Sequence, residues 1–224
     1  MLSKNPLLMK LEIYLIFCLI SYFFTFQGLD NTLLGLNLAQ NRLLSVPVDS
    51  LAPLVLLQSL SLAYNSLKRL EMSADDSINL SALSQLDLSF TRAERNNVCQ
   101  LLNLAPKLNH LIYEGNTVNQ LACIENNNIQ TLNLGRTEKL ISLDPAVFYS
   151  MSRLKVLYVS NAPHLEVFAV DTLMANTRLE KIHITDNPRL RSISLEVFSH
   201  LPSLSHLDLN NNRYVLIHIN LMIH

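Results

Sequence analysis

A nine-residue phrase, Leu-x-x-Leu-x-Leu-x-x-Asn, returns along this chain and constrains its fold more than any other feature. Its clearest copy is LQSLSLAYN, from Leu57 to Asn65. Copies close at Asn41, Asn65, Thr91, Asn116, Thr137, Ala162, Asn187 and Asn212, evenly spaced except for one shorter step from Asn116 to Thr137. Self-similarity at one such period is the signature of a stacked repeat architecture.

Inside the phrase, Leu60 and Leu62 alternate with Ser59 and Ser61, the period-2 pattern of a strand with one buried face. A single strand of this kind cannot bury its leucines. Copies must therefore stack at roughly 4.7 to 4.9 Å and share a continuous apolar core. Parallel neighbours need a crossover, and each one here has only about 15 residues, enough for a turn, a short helical or irregular segment and a return. The strand side is then the shorter side of each repeat. The expected fold is an α/β solenoid curved into a horseshoe, with a parallel sheet on the concave face and irregular or short helical segments on the convex face. The shorter repeat, which contains Asn126 to Asn128, implies a local change of curvature.

The asparagine that closes the phrase has a structural explanation. Its amide can both donate to and accept from backbone groups left unpaired where the chain turns out of the strand. Asn41, Asn65, Asn116, Asn187 and Asn212 are read as such a ladder; Thr91 and Thr137 can supply part of the bonding, and Ala162 none. Phe148 and Phe198 are expected to stack as an internal aromatic spine.

The 17 basic residues are scattered and the net charge is -1, so no electrostatic footprint for nucleic acid exists. With 4 glycines, 8 prolines and no low-complexity stretch, neither a flexible linker nor a second domain is expected. Residues 1–28 differ from the rest: Lys4 and Lys10 precede an apolar run from Ile13 to Phe26. That run suits the apolar region of a signal peptide and falls short of the ~20 residues that span a bilayer. No small-x-small cleavage triplet follows, so an uncleaved signal anchor, a membrane tether, is one alternative, and a cytosolic scaffold is the other if this end is not a targeting signal. The domain reading is a signal peptide or anchor over 1–28, about eight repeats over 29–217, and a truncated tail over 218–224.

Secretion gives two further residue types a meaning. Asn79-Leu-Ser81 is an N-glycosylation sequon in the outer segment of repeat three. Cys99 follows Thr91, and Cys123 follows Asn116, at nearly the same offset. They therefore occupy nearly equivalent places on adjacent repeats, and a lateral disulfide is expected in an oxidising compartment.

The period of roughly 25 residues, the Val-Phe-x-x-Leu-x-x-Leu segment at Val197 with its counterpart at Val147, where Met151 takes the first Leu position, and the stretch Ile184 to Ile193 with Asn187-Pro188 resemble the typical leucine-rich repeats of extracellular animal proteins. Chaoptin-like adhesion proteins, Toll-like receptor ectodomains and slit-type ligands are of this kind. The resemblance covers residues 33 to 217 and implies ligand binding through the concave sheet, adhesion or receptor recognition, and secretion or cell-surface display. It says little about which ligand, because the same scaffold hosts many unrelated binders. The cysteine caps usual at both ends of such domains are absent and the tail stops mid-repeat, which suggests a fragment or a truncated gene product. An uncovered last layer would be an apolar patch able to pair two copies, a homodimer through uncapped ends.

The frame also assigns the outward-facing strand positions. A central column reads Asn37, Ser61, Asp87, Ile112, Asn133, Tyr158, His183, Asp208; a second, toward the strand start, reads Gly35, Ser59, Gln85, His110, Thr131, Val156, Lys181, His206. Past the strand come Tyr64, Phe90, Arg136 and Asp186. Tyr158, Lys181, His183, His206 and Asp208, together with Tyr64 and Phe90, are the candidate ligand-binding residues, an aromatic platform flanked by ionisable groups of the kind that anchors a protein partner or receptor. An enzyme is the competing class. His183 and Asp208 would make half of a nucleophilic triad, yet no activated Ser or Cys accompanies them and no phosphate-cradling glycine loop exists. No catalytic residue, cofactor or metal is assigned; His183, His206 and Asp208 could hold a surface metal, but the sequence offers them no enclosing pocket or supporting shell.

Overall fold

The computed structural model describes residues 9–12, 26, 28–71, 79–117, 121, 128–194, 196–213 and 216–218. The chain divides into two compact units, Met1–His110 and Leu111–His224.

The first unit contains strands β1 (Met9–Glu12), β2 (Leu33–Asn37), β3 (Ser45–Pro47), β4 (Ser59–Ser61), β5 (Arg69–Glu71) and β6 (Gln85–Asp87). β1, β2, β4 and β6 lie side by side in that order, all parallel, and β3 pairs with β5 in a separate parallel ribbon. Leu36, Leu60 and Leu86 meet in register, and each is at most 2% exposed. The strands are short because only the Leu-x-Leu centre of each phrase alternates. β1 falls within the segment assigned to targeting, and nearly all of the apolar run that follows it lies outside the described residues. Between strands the chain forms short helices, Val48–Leu51 and Arg95–Asn103; the latter buries Val98, Leu101 and Leu102, one face at helical spacing.

In the second unit, after β7 (His110–Ile112), which straddles the division, come β8 (Thr131–Asn133), β9 (Val156–Ser160), β10 (Val167–Phe168), β11 (Lys181–Thr185), β12 (Ser192–Ser194), β13 (His206–Asp208) and β14 (Leu216–His218). β8, β9, β11 and β13 form a parallel sheet in that order, and β10, β12 and β14 a second parallel ribbon. The helix Pro145–Tyr149 starts from Asp144, whose carboxylate accepts the Ala146 N–H at 2.9 Å, with proline at the first helical position, where no donor is missed. No helix among the described residues is long and apolar enough to cross a membrane.

The core of this unit is layered by repeat. Leu132, Leu157 and Ile182 are completely buried, whereas Leu207, at the same position in β13, is 38% exposed. Phe148 and Phe198 are not a continuous aromatic spine: Leu173 stands at the equivalent place in the repeat between them, so an aliphatic side chain separates the rings. Phe148 and Leu173 are fully buried, Phe198 half-buried.

The phrase ends in hydrogen bonds that join repeat to repeat. Buried Asn65 donates to the carbonyls of Leu38 and Leu62, at 2.9 and 2.8 Å, and accepts the N–H groups of Asn41 and Leu43 at 3.0 and 2.9 Å. Asn187 repeats the arrangement, donating to Val159 at 3.1 Å and accepting from Ala162 at 2.9 Å. Asn212 in turn accepts the Asn187 N–H at 3.0 Å and donates to the Ile184 and Leu209 carbonyls. Asn41 donates to Ala39 and Asn116 to Glu114, each a carbonyl two residues back. The Thr91 and Thr137 hydroxyls donate to the carbonyl three residues before them, at 2.9 and 3.2 Å. A hydroxyl has one hydrogen to give and an amide two. Ala162, with no polar side chain of its own, has its backbone N–H held by Asn187.

Candidate functional site

The residue immediately before each phrase-closing position is left-handed. Gln40, Tyr64, Phe90, Arg136, Asn161, Asp186 and Asn211 have φ between 54° and 61°, and Gly115 has φ 66°. Glycine, asparagine and aspartate tolerate this conformation; tyrosine, phenylalanine and arginine adopt it at a cost of roughly 1–2 kcal/mol. Bonds between repeats hold it in place. The N–H groups of Gln40, Tyr64, Gly115 and Arg136 each donate to a carbonyl of the following repeat at 2.7–2.9 Å, and those of Asn161 and Asp186 at 3.2 Å. This turn was not foreseen from the sequence. The recurrence of Gly115, Asn161, Asp186 and Asn211 at one repeat position was the available signal.

In the first unit the left-handed turns bring Tyr64 and Phe90 together. Their rings stack with centroids 4.7 Å apart and planes 10° from parallel, and Tyr64 is 48% exposed. Beside them Ser61 and Asp87, opposite each other in the central column, are joined by a 3.3 Å hydrogen bond from the hydroxyl to the carboxylate.

In the second unit strand register brings together the other five residues. Asn133, Tyr158, His183 and Asp208 are successive partners across β8, β9, β11 and β13, and Thr131, Val156, Lys181 and His206 are the partners one column away. The Tyr158 and His183 rings stack at 4.7 Å, 13° from parallel, and the His183 and His206 centroids are 5.0 Å apart, tilted by 43°. His183 Nδ1 stands 3.6 Å from Asp208 Oδ2. The other Asp208 oxygen, Oδ1, accepts the Asn210 N–H at 3.1 Å, a turn closure that Asn37, Asp87 and Asn133 also make with the residue two ahead. Lys181 is exposed at the edge of the cluster. The result is a row of rings across three strands that ends on a carboxylate.

Two residues nearer the middle of the chain have perturbed proton affinities. Burial lowers the His110 pKa and raises that of the fully buried Tyr113 phenol, because a charge on either would be poorly solvated. Tyr113 occupies a core position of the phrase; its role is packing. Glu114 accepts from Asn133 Nδ2 at 2.8 Å and lies 3.8 Å from Arg136 Nε.

Asn79 is exposed, as an acceptor for a glycan must be. Cys99, on the helix Arg95–Asn103, is disulfide-bonded; Cys123, named above as its expected partner, lies outside the described residues.

Comparison with known proteins gives one answer for the fold. The family model described as Leucine rich repeat matches residues 161–214. Chaoptin of Tribolium castaneum is 31% identical over 168 residues, which cover 72% of this chain and 20% of that protein; the chain thus spans about one-fifth of the curated relative it matches. Among solved structures, human 5T4 (Wnt-activated inhibitory factor 1, trophoblast glycoprotein) superposes with a TM-score of 0.60 at 23% identity, over 81% of this chain and 70% of that one. Toll, in the Toll–Spatzle complex of Drosophila, gives 0.61 at 21% identity, over 82% and 25% of the two chains. TLR13 in complex with ssRNA13 gives 0.57 at 24%, over 81% and 29%. At these identities the solved structures speak for the fold alone.

Proposed function

We propose that this chain, folded as a leucine-rich-repeat solenoid, is a non-enzymatic module that binds a protein ligand on the outward sheet face around Tyr158, Lys181, His183, His206 and Asp208. The single observation that carries the reading is the outward-facing row of rings, Tyr158 on His183 and His183 beside His206, ending on Asp208. Rigid aromatic groups lose little entropy when a partner covers them, and they dominate the energetics of protein interfaces. Short strands hold the rings in fixed register, so the platform is formed before a partner arrives. Tyr64 and Phe90 form a second stacked platform of the same chemistry within the first unit.

The setting we propose is extracellular, with the chain secreted or displayed at the cell surface. The similarity to chaoptin, the disulfide at Cys99 and the exposed sequon at Asn79 support this. A protein partner is also in keeping with the Toll structure, a complex with Spatzle. The apolar run before the repeats favours, as a second reading, a membrane-tethered adhesion or receptor ectodomain with the same binding face.

Site-specific photocrosslinking tests the face. A benzophenone amino acid is placed at Tyr158, or at Tyr149 on the helix Pro145–Tyr149, where the side chain is 78% exposed. Applied to living cells, the Tyr158 derivative is expected to capture a discrete protein adduct and the Tyr149 derivative not. No adduct from position 158, or equal adducts from both positions, would count against this face.

A further inference from the structure

We propose that His183, His206 and Asp208 form a binding site for one divalent transition-metal ion, with zinc the best match. The three are the one group of histidine, cysteine and carboxylate residues among the described residues whose ligand atoms are spaced to hold a metal, all within 4.8 Å of one another. Adjacent strands supply them: Lys181 pairs with His206 and His183 with Asp208, so both histidines and the carboxylate border one point of the face.

The spacing of the first pair suits an ion. At 3.6 Å, His183 Nδ1 and Asp208 Oδ2 are too far apart for a hydrogen bond. Two ligands of a tetrahedral zinc, each 2.0–2.2 Å from the metal, stand roughly 3.3–3.5 Å apart, which is close to the separation found here. Octahedral geometry at magnesium-like distances would require neighbours near ~3 Å. His206 is exposed, and its ligand nitrogen lies within 4.8 Å of the other two ligand atoms.

Two first ligands are already oriented by their surroundings. Tyr158 packs flat against the His183 ring, and the Asn210 N–H holds Asp208 Oδ1, leaving Oδ2 turned toward His183. Supports of this kind fix ring plane and carboxylate rotation, and they count heavily in metal affinity. Both side chains are also partly shielded, 23% and 26% exposed. Two imidazoles and one carboxylate suit zinc and neighbouring first-row ions. The fourth position would remain open to water or to a ligand from outside, since the site lies on the surface. Lys181 is the nearest cationic residue on these strands and sits one column away from His183 and Asp208.

The assignment stands on ligand geometry and not on the protein-binding reading, and its test uses no partner. The full secreted chain is stripped with a chelator and titrated with zinc ion alone in a calorimeter. Saturable binding of one ion per chain is expected, weakened at least tenfold by His206→Gln and by Asp208→Asn but unchanged by His200→Gln, an exposed histidine elsewhere. A second readout needs no calorimetry: cobalt(II) should give intense visible bands of four-coordinate geometry, lost in Asp208→Asn. Absence of saturable zinc binding by the parent chain would overturn the proposal, as would unaltered affinity in both variants. Weak six-coordinate cobalt bands would overturn the zinc assignment.

Discussion

Asn187 is among the most heavily used side chains of the molecule. It is fully buried, donates to Val159 and accepts the N–H of Ala162, which cannot cap itself. Replacement by leucine keeps the volume and strands both backbone groups. Each buried group left without a partner costs about 1–3 kcal/mol, so Asn187→Leu should lower unfolding stability by about 2–4 kcal/mol, read from denaturant midpoints at constant m-value. Thr137→Val loses one bond, to Leu134, and should cost about 1 kcal/mol on the same measurement. The ladder was legible in the sequence because a closing amide has one job wherever the phrase returns. The left-handed residue before it was not, since Tyr64, Phe90 and Arg136 are types that propensity sends elsewhere. There the inter-repeat hydrogen bonds override local preference.

At the scale of the element, the crossovers do the bracing. The helix Arg95–Asn103 is the longest among the described residues and carries Cys99 on its partly exposed side. Because Cys123 follows Asn116 in the sequence at nearly the offset by which Cys99 follows Thr91, it is the expected partner, a pairing that peptide mapping without reduction checks. A bridge closing a loop of about 24 residues should contribute roughly 3 kcal/mol. Cys99→Ser should therefore lower stability by about that amount under oxidising conditions and by nothing under reducing ones. The strands were the more legible elements. Their alternation fixes which side chain faces the core, and a constant period then dictates the columns, so Tyr158, His183 and Asp208 align from the sequence alone. What periodicity does not carry is rotamer and ring orientation. The stacking of Tyr158 on His183, and the distance from His183 to Asp208, come from side-chain torsions that the phrase leaves free.

For the whole molecule the decisive property is where it resides. Expression of the full chain with a C-terminal tag in secretory cells should yield a product shortened by glycosidase, and Asn79→Gln should abolish that shift. Recovery from the medium would identify a released binder, and recovery from membranes a tethered one; an unglycosylated cytosolic product would overturn the extracellular setting. The composition had already set this question, because one apolar stretch, Ile13 to Phe26, precedes repeats that show no run like it.

The strand register carries one more consequence. Neighbours on the face are separated by one repeat in the chain, so the surface is spelled in letters that lie far apart in the text, as from Tyr158 to His183 to Asp208. A point mutation changes one letter. In-frame loss of residues 159–183 would preserve the phrase and its turn, yet set Tyr158 directly against Asp208. Recombination between repeats can thus respell the recognition surface while leaving the grammar of the fold intact.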